Sequence, residues 1–247
     1  PEALESLLLH ELVHAVQDQT VDLDAITSDE NGNDRAAAAH SAIEGHATLV
    51  MLEFMMEGMT GQRVDLATMP SLGDQLMPAL QVMREEFPAL AGAPPIIQRT
   101  ILFPYAQGAG FVQRLWASEG RVAPFGSFLP ASTEQVIEGS LDDPPIRVDV
   151  EVEGGSVLHE DILGRLESEV LVETHLGMAT PELVDGWGGD RFVLVETEGG
   201  TGRTLAWASV WDDEAARDGF VARMAPALAS GLGGSVSLTS LSIDGRP

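Results

Sequence analysis

The chain has 247 residues, 44% of them hydrophobic, and carries 39 acidic against 13 basic residues for a formal net charge of −26. That hydrophobic fraction suits one or two folded domains rather than a disordered chain, and the charge excludes a nucleic-acid binder, which needs a cationic surface. The absence of cysteine excludes disulfides and thiolate metal sites, and with no apolar run of about 18 residues no membrane-spanning helix is expected.

The chain opens at Pro1 inside what already reads as helix, so a preceding segment is expected. Leu4, Leu7, Leu8, Leu12, Val13 and Val16 recur with helical spacing around His10-Glu11-Leu12-Val13-His14. Residues four apart stack on one helix face, so His10 and His14 can reach one metal ion. Glu11, beside the first of them, can take a proton from a water activated by that ion. A catalytic zinc site usually takes three protein ligands, so a third must come from elsewhere.

Residues 20–34 form a polar loop whose Asp29-Glu30-Asn31-Gly32 stretch faintly resembles a calcium loop. Counted from Asp29, the twelfth position is His40 rather than glutamate, so the loop reads as a solvated turn. A second helix is predicted over Asp34–Glu57 from its alanines and from Ile43, Val50, Met51 and Phe54. On it His40 and Glu44 share a face and His46 points elsewhere. Glu44 follows His14 by 30 residues (44 − 14), enough for a loop and a returning helix, and is the expected third ligand. His40 and His46 stand as alternative ligands.

A further helix is expected over Leu72–Glu86, its methionines serving as adaptable core filler. Ile96–Glu119 reads as an apolar segment and a helix, with Tyr105, the single tyrosine, either a donor to a developing oxyanion or a core residue. Ser132-Thr133-Glu134-Gln135 looks like a helix start, with Ser132 or Thr133 as cap and Glu134 and Gln135 either capping or lining a cleft. Asp142-Asp143-Pro144-Pro145 marks a domain boundary. Beyond it we expect a strand over Ile146–Glu153, a helix over Ser156–Leu176 and a turn at Trp187–Asp190. A hairpin then pairs Arg191–Glu196 with Thr204–Trp211, followed by a helix over Asp212–Ala229 and a strand over Ser235–Ile243. The glycines at 199, 200 and 202 supply a turn, and no strand-to-helix phosphate loop follows them. All basic residues are Arg, and the acidity suits either high salt, where the Debye length is about 3 Å at 1 M, or a GC-rich genome.

The words HELVHAVQDQ and AIEGHATLV resemble the HExxH…EGxA arrangement of the gluzincin zinc metallopeptidases. More narrowly they are similar to secreted or surface-attached prokaryotic proteins of the HEL-x-HA-x-QDQ type, as are FPYAQGAGFV, STEQVI and GWGGDRFVLV, so the likeness spans most of the chain. The pattern of elements reads as an α+β fold with a small α+β module over residues 144–247 carrying a short antiparallel sheet, and the resemblance implies a zincin-like helical metal-site region over residues 1–143. It implies Zn²⁺ held by His10, His14 and Glu44, with Glu11 and Tyr105 as catalytic groups. It further implies a peptide or protein substrate and an extracellular or cell-surface location. The chain departs from the pattern where the narrower group has an acid at His46 and the gluzincins have one at Thr48, and Asp18 is the expected replacement partner for His14. The expected activity is zinc-dependent peptide hydrolysis; the alternative is a surface or binding protein that keeps the fold without turnover, or a latent peptidase. A fourth protein ligand, His40 or His46, would favour the binding protein.

Overall fold

The computed structural model describes residues 2–197, 202–231, 237 and 239. Its fold is α+β. The helices are α1 (Glu2–Asp18), α2 (Leu23–Ile26), α3 (Asn33–Thr60), α4 (Leu72–Glu86), α5 (Pro88–Ala91), α6 (Pro95–Phe103), α7 (Ala109–Glu119) and α8 (Thr133–Glu138). There follow β1 (Gly155–Asp161), α9 (Gly164–Leu176), β2 (Trp187–Thr197), β3 (Arg203–Trp211) and α10 (Glu214–Gly231). Two units emerge: one holds the residues up to Asn31 and Arg35–Asp142, the other Gly32–Asp34 and the residues after Asp142. None of the described helices is long and apolar enough to cross a membrane.

The first unit is built on the small residues of α3. Ala38, Ala39, Ala42 and Ala47 are fully buried, and their lack of bulk lets neighbouring backbones approach closely. Around them lie Leu49, Phe111, Val112 and Trp116 from α3 and α7. Ser132 caps α8, its hydroxyl accepting from the Gln135 amide at 3.2 Å, while the Gln135 side chain accepts from Ala131 N and donates to Leu141 O. Gln135 is therefore a loop brace. The polar loop before α3 folds into α2 and a 3₁₀ turn at Asp29–Asn31, with Asn31 donating to the Ala25 carbonyl.

The leucines of α1 depart from expectation. Leu4, Leu7, Leu8, Leu12 and Val16 are each more than half exposed, and the buried positions of this helix are His10 and Gln17. Apolar periodicity marks this helix but not its inward face, which is set by polar partners on α3.

In the second unit β1, β2 and β3 form an antiparallel sheet in sequence order. Val172, Val184, Trp187, Trp211, Phe220 and Met224 make its core, Phe220 packing against the Trp211 ring at 4.7 Å. The predicted helix over Ser156–Leu176 is corrected: residues 155–161 pair with β2 as a strand, and the helix begins at Gly164. Gly164 sits at φ +69°, which breaks any helix running through it, and a Cβ there would strike the Asp34 carboxylate. Buried Asp190 accepts from Leu163 N, Gly164 N and the indoles of Trp187 and Trp207, tying the start of α9 to the sheet. Trp187–Asp190, expected as a turn, lies inside β2 beside a bulge. Ile146–Glu153 is likewise not a strand. It alternates as its sequence suggests, with Val148 buried between exposed Arg147 and Asp149, yet it is tied to the sheet by Ile146 N donating to Gly188 O at 2.7 Å, beyond the end of β1. The period-2 pattern reported an extended, half-buried segment and not its pairing. The strand expected over Ser235–Ile243 lies outside the described residues but for two isolated positions.

Glu167 on α9 faces Asn33, whose amide donates to it at 2.6 Å. Burial pushes its carboxyl up to about 7 from an ordinary 4.5, the Asn33 bond opposing and the Asp161 and Asp190 charges reinforcing the rise. Between pH 4.5 and about 7 the folded chain thus keeps a proton that the unfolded chain has released, so stability falls as pH rises through that window. Thermal unfolding followed across it should show a steeper loss for wild type than for Glu167→Gln; parallel curves would contradict the placement of Glu167.

Candidate metal centre

The candidate site lies in the first unit, where α1 meets α3. His10 and His14, one turn apart, present rings 4.6 Å between centroids and nearly perpendicular. Both Nε2 atoms face one oxygen of Glu44: His10 Nε2 lies 3.0 Å and His14 Nε2 3.5 Å from Oε2. Among the described residues these three form the group whose ligand atoms all lie within 4.8 Å of one another. Zinc–ligand bonds of about 2.0–2.1 Å set neighbouring ligands of a tetrahedron roughly 3.3–3.4 Å apart, and the two observed spacings straddle that value. The donor set, two imidazoles and a carboxylate, also suits a divalent transition metal. The residues therefore fit the expected ion.

Glu44 is half-buried. Burial raises its carboxyl, but the His10 hydrogen bond and the nearby His14, His10 and His40 prevail and hold it below the ordinary value. It stays ionised, as a ligand must. Glu11 is exposed on α1 beside His10. Its charge and that of Glu44 both reach Tyr105, whose ring lies 6.4 Å from that of His10. Burial first, then the charges of Glu44 and Glu11, push the Tyr105 hydroxyl upward, so it stays protonated and donates.

Tyr105 owes its place to an irregular turn. Pro104 has no N–H to give to a helix ladder, and the helix running from Pro95 to Glu119 widens over Pro104–Gly108 into a π turn, a device frequent at functional sites. This turn lies directly on α3. A Cβ on Gly45 would sit 2.1 Å from the Gly108 carbonyl carbon, and one on Gly108 would sit 2.2 Å from the Ser41 oxygen. Glycine at both positions lets the two backbones touch, which brings Tyr105 against the residue preceding Gly45.

The other candidates fall outside the cluster. His40 is exposed one turn before Glu44 and acts on it through its charge. His46 packs edge-on against Trp116 and Phe125, and burial, with His14 adding to it, lowers its pKa to about 4. Asp18, the expected replacement partner for His14, does not supply one, and Thr48 stands where the gluzincins have an acid. Thr48 is buried, its hydroxyl lacking a hydrogen bond among the described residues, and Asp18 is exposed and reaches only Leu23 N at 3.5 Å. The partner is Gln17, whose Oε1 lies 2.7 Å from His14 Nδ1. Its position three residues after His14, on the same helix side, was the available signal.

A family model described as "Domain of unknown function (DUF8575)" matches residues 156–242, a stretch in the second unit. No curated protein and no solved structure matches the chain.

Gly45→Ala or Gly108→Ala should destabilise the chain. Alanine gains about 1 kcal/mol in helix propensity, but at 2.1–2.2 Å from backbone atoms the overpacking cost of about 1–3 kcal/mol or more prevails. Gly58, on the same helix with nothing within 4 Å of its Cβ position, is the contrast: Gly58→Ala should stabilise by about 0.5–1 kcal/mol. Urea unfolding of the three variants measures both signs, and equal effects at all three would refute the close contact.

Proposed function

We propose that this protein is a zinc-dependent metallopeptidase that hydrolyses peptide bonds. The observation that carries the reading is the convergence of His10, His14 and Glu44 on one point, with Glu11 and the Tyr105 hydroxyl beside it. A zinc ion held by the three would supply Lewis-acid polarisation of the carbonyl and a more acidic water. In this reading Glu11 takes the proton from the attacking water and delivers it to the departing amine nitrogen as the C–N bond breaks. Tyr105, kept protonated, donates to the carbonyl oxygen as it gains negative charge. The similarity to the HEL-x-HA-x-QDQ group supports a peptide or protein substrate met outside the cell or at its surface. Under the proposal His40 and His46 are not ligands, which leaves a coordination position open for water.

Metal analysis of wild type should find one zinc per chain, lost in His14→Ala and Glu44→Ala and retained in Glu11→Gln. Cleavage of a broad peptide library should be abolished by a chelator, restored by zinc, and reduced about 10²–10⁴-fold in Glu11→Gln. Tyr105→Phe should lose about 10²–10³-fold in kcat. Zinc bound without any cleavage would replace this reading with that of a non-catalytic binding protein, and absence of zinc would remove both.

A further inference from the structure

Gln17 is 2% exposed, and both the nitrogen and the oxygen of its amide have partners. Its Nε2 donates to the Ile43 carbonyl at 3.0 Å and lies 3.1 Å from His46 Nδ1, while Oε1 lies 2.7 Å from His14 Nδ1. The amide orientation follows from chemistry alone. A carbonyl can only accept, so the NH₂ end must face Ile43 and the oxygen must face His14. His14 Nδ1 therefore carries a hydrogen, and in the neutral ring Nε2 bears the lone pair. The second amide hydrogen goes to His46, which must accept through Nδ1 and keep its own proton on Nε2. The lone pair of His14 then points at the Glu44 carboxylate oxygen 3.5 Å away, an arrangement that is repulsive unless a cation lies between them.

We propose that Gln17 is a positioning residue that holds His14 in the tautomer whose Nε2 binds the metal, and ties that ring to α3 through the Ile43 carbonyl and His46. The proposal rests on the zinc-site reading above. Histidine ligands usually receive this orientation from a carboxylate, a backbone carbonyl or water. Unlike a carboxylate or a backbone carbonyl, an amide accepts from His14 and also donates to two buried acceptors, without adding a negative charge. A carboxylate at this position would face the Ile43 oxygen with no hydrogen to offer.

The test reads tautomers in the metal-free protein, using histidine labelled with ¹⁵N and long-range ¹⁵N–¹H spectra, alongside zinc affinity from competition with a chromophoric chelator. Wild type should show His14 protonated on Nδ1 and His46 on Nε2. Gln17→Met, similar in length but without these bonds, should release His14 into a mixture of tautomers and weaken zinc binding by about 10–100-fold. Gln17→Glu, which keeps an acceptor for His14, should retain its tautomer while losing the His46 arrangement. His46→Phe leaves the Gln17–His14 bond intact and should change zinc affinity by less than about tenfold. A wild-type His14 protonated on Nε2 would overturn the proposal even if the methionine variant fails to fold, as would a folded Gln17→Met with unchanged tautomer and affinity. If wild type takes up no zinc, the peptidase reading falls, and the metal-free spectrum still decides the role of Gln17.

Discussion

A contact between two histidines and one carboxylate, made across two helices, is the interaction on which the candidate site depends. His10 and His14 of α1 both face Oε2 of Glu44 on α3. In a half-buried setting an ionised carboxylate persists only where positive or hydrogen-bonding partners offset its desolvation. The His10 hydrogen bond does that here, and with the nearby histidine charges it holds Glu44 below its ordinary pKa despite its burial. The His14 nitrogen and the Glu44 carboxylate, facing each other at 3.5 Å with no hydrogen between them, are what a divalent ion would join.

That contact requires α1 to lie with its polar face inward, which reverses the usual logic of an amphipathic helix. Leu4, Leu7, Leu8 and Leu12 turn outward while His10 and Gln17 are buried. Gln17 makes the reversal tolerable, because each of its polar atoms finds a partner on α1 or α3. A buried amide left half-satisfied would cost about 1–3 kcal/mol for each missing bond. The packing of α3 against the π turn at Pro104–Gly108 completes the arrangement from the other side. Glycine at 45 and 108 removes the side chains that would hold the helices apart, and the Tyr105 ring comes within 6.4 Å of that of His10.

The second unit is governed by a different buried carboxylate. Asp190 gathers two backbone amides at the start of α9 and two indole N–H groups. Burial raises its pKa while these four donors pull it back. It links helix to sheet, and the family model of unknown function matches this part of the chain rather than the histidine-bearing helices.

Much of this protein was legible from local pattern. The helical spacing around His10 and His14, the alanine-rich stretch that carries Glu44, the Leu72–Glu86 helix, the Ser132 cap and the hairpin of β2 and β3 each follow from neighbours within a few residues. So does the α+β fold class. What local pattern left undecided were the choices made by atoms remote in sequence. Residues 155–161 became a strand because β2 offered a backbone edge, while Ile146–Glu153, with the stronger alternation, found no such ladder. The partner of His14 is Gln17 rather than Asp18 because the side chain one position earlier points at the Ile43 carbonyl and His46, 26 and 29 residues away. Local pattern settles most of the helices and which residue types could bind a metal; which face of α1 turns inward is settled only in the folded chain, where His10 and Gln17 find polar partners on α3.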